Sequence, residues 1–398
     1  MLPKRTPVAL GAIGLAAATL LAGARAPVSG PAVLEVRVVA RGPDAAAPSD
    51  GPLHARAGEP VELAAIARIR PAPKAKPIWV GPAGLDAAVV RGKRVAVAAA
   101  PPAGALVRWL KVEPVMLHVG EPGPSPGFAG YCNAILGGPH HGKWIGMDHV
   151  SYVETAVAGD AWTRAADAHP TEALYDIHEG LGTMRFKASL SFDGGATWAS
   201  SPGAESRDRN GIRADVTRVS FREADDFTGW LTALFNVPEI FGSVEAQAER
   251  FIGADCADVI VSAARAGGHT KVKYTYVEGL WKYAAAPLPA AREIELSPGG
   301  AVSPAGLRWG TDVRRGDIVP ISYRAPDHSY GVRHWPHVGV LYADASDPDG
   351  PLHGAPDGIF DGHDLLLHMS HPELTIAPLR EQGPATIALL RWKKGFVP

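Results

Sequence analysis

Cysteine is almost absent: the 398 residues hold only Cys132 and Cys256. That excludes a small disulfide-framed scaffold and leaves two readings, one disulfide or two free thiols. Net charge is nearly absent too, −2 at pH 7, and nothing in the charge balance recommends a nucleic-acid partner. No stretch beyond residue 26 offers the ~20 apolar residues a bilayer span needs. The Cys…Trp…Cys pattern of antibody domains is missing. The acidic stretch Asp344 to Asp364, with Asp347, Asp349, Asp357 and Asp361, lacks EF-hand spacing: counted from Asp347, Gly358 stands where the bidentate Glu belongs, so the stretch reads as a solvated loop. Glycine and proline are abundant instead, 45 and 36 residues, which calls for many turns and short strands. The length allows two or three domains, each with its own core.

The first 26 residues read as a secretory signal. Lys4 and Arg5 precede an apolar run from Val8 to Leu21, and Ala24-Arg25-Ala26 supplies a small-x-small cleavage pattern. The run is short for a membrane anchor, and no cysteine near the cut offers a lipid site. The expected location is the periplasm or the cell exterior, with no membrane attachment after cleavage.

Residues 27–113 are expected to form a β-sandwich of the immunoglobulin type. Ala32-Val-Leu-Glu-Val-Arg-Val-Val39 alternates at period two, and 60–67 and 94–97 are further strand candidates. Residues 114–224 are expected to form a second β-rich domain. Its strand Met184–Leu190 runs into Ser191-Phe-Asp-Gly-Gly-Ala-Thr-Trp198, which fits the Asp-box hairpin of sialidase-type propellers. A single copy reads as a structural turn, and no glycosidase is inferred.

Residues 225–398 change pattern. Phe227, Trp230, Leu231, Leu234 and Phe235 give an amphipathic helix stopped by Pro238. Ser243 is expected to cap a second helix, and Asp255 a third with Asp258 in its first turn. Strand candidates follow at 271–277, 317–323, 337–343, 365–369 and 385–392. Helices followed by antiparallel strands predict an α+β domain.

Three residues carry candidate chemistry. Cys256 falls at the first position of the third helix, where unpaired N–H groups and the helix dipole favour a thiolate. His337 opens the strand His-Val-Gly-Val-Leu-Tyr and suits a general base. His368, in Leu-Leu-Leu-His-Met, can orient the His337 ring, with His363 and His371 as neighbouring alternatives. Cys256, His337 and His368 together make a Cys-His-His nucleophilic site. His140, His141 and His149 lack recognised zinc-ligand spacing, and neither a metal nor a cofactor is expected.

Residues 225–398 resemble the NlpC-type cell-wall peptidases. Asp255-Cys256 before a helix is similar to the family's nucleophile motif. Arg315-Gly-Asp-Ile-Val319 is similar to the strand before its histidine, His337-Val-Gly-Val-Leu-Tyr342 to the histidine strand, and Leu367-His368 to the later histidine. The resemblance implies a papain-like fold with Cys256 as nucleophile, His337 as base and His368 as orienting residue. It also implies peptidoglycan stem peptides as substrate. The chain departs from the family at Ala257 and Asp258, which replace Ser-Gly, and at Val244, where the family carries an oxyanion-binding Tyr. The 31 residues from His337 to His368 exceed the family's spacing. These departures keep open a second class of function, a binding or adhesion module with an inactive site.

Overall fold

Alternation at period two sends every second side chain to one face of an extended segment, and residues 32–41 form such a segment in the computed structural model. The structure describes residues 31–116, 150–171, 178, 180–240, 242–288, 293–323, 335–346, 354–370 and 373–395. The signal-like segment, Cys132, His140, His141, His149, Asp347, Asp349 and His371 lie outside the described residues.

Two six-stranded sheets fill the N-terminal half. One contains β1 (Ala32–Arg41), β3 (Glu62–Arg70), β4 (Ile78–Val80), β5 (Ala87–Val90), β6 (Lys93–Ala99) and β9 (Thr163–Ala165). The other contains β2 (Leu53–Arg56), β7 (Leu106–Met116), β8 (Val150–Val157), β10 (Gly182–Ser191), β11 (Ala199–Ser200) and β14 (Thr217–Arg222). A small hairpin, β12 (Arg207–Asp208) and β13 (Gly211–Ile212), lies between β11 and β14 in the chain. Val36, Leu63, Trp109, Phe186, Leu190 and Val219 bury together between the sheets.

This corrects the expected pair of N-terminal domains. The boundary at 113/114 falls inside β7, and β2 pairs with β14 from the far side of it. The two segments therefore share one core. The pairs β2–β14 and β4–β6 are parallel, unlike the antiparallel sheets of an immunoglobulin-type sandwich. The Asp-box hairpin forms between β10 and β11 (the Asp193 side chain accepts from the Thr197 N–H at 2.9 Å, and Gly195 N–H donates to Ser191 Oγ at 2.8 Å).

The α+β papain-like fold expected for residues 225–398 is contradicted as well. Strand accounts for 42% of the structure and helix for 11%. The helices are α1 (Phe227–Thr232), α2 (Glu245–Glu249), α3 (Cys256–Ala266) and the single turn α4 (Val277–Gly279), followed by a π-helical turn at Leu280–Ala284. Leu234 and Phe235 fall outside α1, because the chain turns there and Asn236 takes a left-handed φ of 65°. Residues 271–277, expected as a strand, are irregular up to α4.

A nine-stranded sheet dominates this half instead. It comprises β15 (Ala285–Pro287), β16 (Ile294–Leu296), β17 (Val302–Ser303), β18 (Ile318–Tyr323), β19 (His337–Ala343), β20 (Leu365–Met369), β21 (Leu374–Pro378), β22 (Ala385–Ile387) and β23 (Leu390–Trp392). One face sets Val338, Val340, Leu367 and Met369 against Val259, Ile260 and Ala263 of α3. The other buries Val319, Ile321, Leu341 and Leu366 with Phe360 and Leu379. The sandwich meets this half at Gly182, where a Cβ would stand 2.7 Å from the Phe235 carbonyl oxygen, and Thr183 N–H donates to that oxygen at 2.9 Å.

Candidate active site

Asp255 starts α3. Its carboxylate accepts from the N–H groups of Ala257 (3.0 Å) and Asp258 (2.8 Å), two of the donors a helix start leaves unpaired. Cys256 is therefore the first helical residue. Ser243 does not cap α2, which begins after Val244 and is closed by the Gln247 side chain accepting from Val244 N–H at 2.9 Å. Ser243 braces α3 instead: its hydroxyl accepts from Asp255 N–H at 3.0 Å and donates to Asp258 Oδ2 at 2.5 Å.

The two histidines are placed by strand register. On β18, Ile321 lies opposite His337; on β20, His368 lies opposite Gly339. His337 and Gly339 share a face, so His337 and His368 are diagonal cross-strand neighbours, within reach of long side chains. His337 Nε2 lies 2.9 Å from His368 Nδ1. Gly339 makes this possible, because a Cβ there would stand 2.9 Å from His368 Cβ and 2.8 Å from Leu366 Cγ.

Two further residues join the pair, and no motif announced either. Tyr323, at the end of β18, stacks near His337 with ring centroids 6.2 Å apart, and its hydroxyl donates to Gln382 Oε1 at 2.7 Å. Gln382 ends the 3-10 turn Leu379–Gln382, and its Nε2 lies 3.4 Å from His368 Nε2. Tyr323 was reachable from sequence only as the residue two places beyond the partner of His337. Gln382 carried no signal at all.

The sulfur lies beside this relay without joining it. Cys256 Sγ stands 4.0 Å from the Pro336 carbonyl oxygen, one residue before His337. That is the hydrogen bond the thiol donates; among the described residues it forms none to His337. The structure thus brings His337 and His368 into direct contact and sets Cys256 against the start of the same strand. His363 is not in the relay; its N–H donates to Asp361 at 2.7 Å in the loop before β20.

Electrostatics hold the group neutral. Burial pushes the Cys256 thiol up, the negative charge of Asp255 adds to the rise, and the N–H of Val338 opposes it. The sequence favours a thiolate at the helix start, but burial and the capping carboxylate outweigh the dipole. His337 is pushed down to about 3, by burial first and then by His368, and burial takes His368 down to about 4. Asp258 is pushed up to about 8 by burial and by Asp255, so the negative charge that the sequence places there is muted at neutral pH.

Asp344 and Asp364, at the two ends of the acidic stretch, bond to its own backbone. Asp344 accepts from Asp357 N–H (3.1 Å) and Gly358 N–H (2.9 Å), and Asp364 from Asp361 N–H (2.8 Å). Among the described residues no three His, Cys, Asp or Glu side chains gather to hold a metal ion. Among them also, no helix is long and apolar enough to cross a membrane. No family model, curated protein or solved structure matches this chain.

Proposed function

We propose that this chain is an exported cysteine hydrolase that cleaves amide bonds through Cys256, His337 and His368. The observation that carries the reading is the 2.9 Å contact between His337 Nε2 and His368 Nδ1, on the strand whose start Cys256 faces from the first position of α3. The motif-level likeness to NlpC-type peptidases makes peptidoglycan stem peptides the substrate class and the cell envelope the location.

The chemistry follows from proton positions. With Gln382 Nε2 donating to His368 Nε2, His368 carries its proton on Nδ1 and donates it to His337 Nε2. His337 is then protonated on Nδ1 and has no lone pair to offer. Turning the Gln382 amide reverses the relay: His368 Nε2–H donates to the amide oxygen, and His337 Nε2–H donates to His368 Nδ1. Nδ1 of His337 is then a free base. The Cys256 proton leaves the Pro336 carbonyl for that nitrogen as sulfur attacks the amide carbon. A thioacyl intermediate forms, the amine leaves with the proton, and water releases the acid. A neutral thiol and a neutral imidazole make proton transfer concerted with attack, with no standing thiolate–imidazolium pair.

A specific observation favours the alternative, a binding or adhesion module. The thiol bonds a backbone carbonyl, not the imidazole, and is pushed up by its surroundings. One experiment separates the two. The mature protein and Cys256→Ala are incubated with purified sacculi, and released fragments are resolved by mass. The hydrolase releases stem-peptide fragments that Cys256→Ala does not. Retention on sacculi with no release by either protein rejects the hydrolase and selects the binding module.

A further inference from the structure

Two guanidinium groups are buried where the sandwich meets α2. Arg185 on β10 is 3% exposed and Arg218 on β14 is 7% exposed. Among the described residues, every hydrogen-bond partner they have is neutral. Arg185 donates from Nη2 to the carbonyl oxygens of Arg250 (3.0 Å) and Phe251 (2.6 Å). Arg218 reaches Ser220 Oγ at 3.3 Å and His54 Nε2 at 3.2 Å, and its guanidinium lies 4.2 Å from the centre of the Phe251 ring. His54 is pushed down to about 3 by burial and by Arg218 and Arg222, so it too is neutral. Among the described residues no carboxylate pairs with Arg185 or Arg218.

Buried cations are ordinarily matched by anions, since an unmatched charge out of water costs several kcal/mol. Here the cations line an open cavity of about 80 Å³ instead, with Arg213, Arg250 and Glu249 also in its wall. Glu249 is turned to Arg265, at 2.8 Å, and Arg250 to Asp208, at 3.0 Å. Among the described residues, the charges of Arg185 and Arg218 have no carboxylate partner. The volume is far below the ~300 Å³ of a pocket for a drug-sized molecule and suits one small group. Guanidinium groups match tetrahedral oxyanions in geometry as well as charge.

We propose that this cavity binds a divalent oxyanion of the phosphate or sulfate type, with Arg185 and Arg218 as the buried ligands and Arg213 at the rim. The anion would join β10 and β14 of the sandwich to the segment that leads from α2 into α3. Burial and the Arg185 charge hold Arg218 down to about 9, and a bound dianion reverses the second cause. Hydrolysis by Cys256 plays no part in this binding.

The test is thermal unfolding and titration calorimetry of the full chain at constant ionic strength, with inorganic phosphate, sulfate, glycerol phosphate and acetate. Phosphate is expected to raise Tm with saturation, and acetate is not. Arg213 is exposed, so Arg213→Gln is expected to fold and to bind phosphate at least tenfold more weakly. Arg185→Gln abolishes the response; if it fails to fold, Arg213→Gln decides. Equal binding of glycerol phosphate assigns the natural ligand as a phosphoryl group on a larger molecule, and its exclusion assigns the free anion. Absence of a saturable response to phosphate and sulfate overturns the site. So does an Arg213→Gln response equal to wild type, or acetate binding as tight as phosphate.

Discussion

Gly339→Ala is the most direct probe of how the fold positions the histidine pair. The added Cβ would meet Leu366 Cγ at 2.8 Å, His368 Cβ at 2.9 Å and Leu366 Cδ1 at 2.9 Å. Non-bonded carbons rest about 3.5–4.0 Å apart, so β20 must retreat by roughly 0.6–1.2 Å at this point. Both neighbours are buried, His368 at 5% exposure and Leu366 at 0%. Overpacking of this kind costs about 1–3 kcal/mol, a Tm decrease of roughly 2–4 °C per kcal/mol for a unit of 150–250 residues. The same retreat stretches the 2.9 Å His337–His368 contact toward the ~3.5 Å limit of a hydrogen bond. Thermal unfolding and the histidine-ring NMR resonances read the two effects separately. Gly299→Ala is the control, since its nearest atom lies 4.0 Å away. Unchanged Tm and unchanged ring resonances in Gly339→Ala would refute the close approach. A lower Tm with unperturbed rings would refute the link between Gly339 and the histidine contact.

The other expectations concern charge and proton position. In a Cys132→Ser background, iodoacetamide should label Cys256 slowly at pH 7 and about tenfold faster per pH unit into the alkaline range, because only the thiolate reacts; fast labelling that is flat from pH 6 to 8 would reveal a standing thiolate. His368→Asn should keep partial turnover and His368→Ala lose about 10²-fold, with full activity of His368→Ala removing it from the site. Gln382→Glu can only accept hydrogen bonds, which puts the His337 proton on Nε2; turnover should rise at pH 8, and a fall matching that of Gln382→Met would reject the relay direction. Asp258 is raised from an ordinary 3.8 to about 8, so the folded state keeps a proton that the unfolded chain has lost. Its contribution is full below about pH 4 and is lost as pH rises to about 8, at up to about 1.4 kcal/mol per unit. Asp258→Asn can still accept from Ser243 and should flatten the fall in Tm between pH 5 and 8; an unchanged slope would show that Asp258 ionises normally.

Local pattern was legible wherever it did not depend on distant partners. β1 forms at the alternating run, β10, β19 and β20 form at the other strand candidates, and Asp255 caps α3 at the residue its type and spacing indicate. Pairing was not legible. β2 is four residues long, and only its parallel ladder to β14, Val219 opposite Leu53, shows that it belongs with a strand more than 160 residues on. The boundary expected at 113/114 cut β7 for the same reason: a local pattern marks a strand, not which core it enters. The α+β expectation erred in weight. Three helix starts were visible, yet α1 and α2 run for only 6 and 5 residues, and the strands after them carry the architecture.

The site divides along the same line. Cys256, His337 and His368 each sit at a locally marked position, a capped helix start or a strand run, and sequence reasoning can find such positions one at a time. Their proton states are set by groups far along the chain. The carbonyl that takes the thiol hydrogen bond is 80 residues from Cys256, and the amide that orients the His368 proton is 14 residues on, across β21. The helix dipole at Cys256 is visible in sequence and points toward a thiolate. The burial that reverses it exists only once β18, β19 and α3 have packed. A motif therefore specifies which atoms can react, and the packing decides which of them holds the proton. In this chain the two point in opposite directions: the helix start favours a thiolate, and burial with the Asp255 charge keeps the thiol protonated.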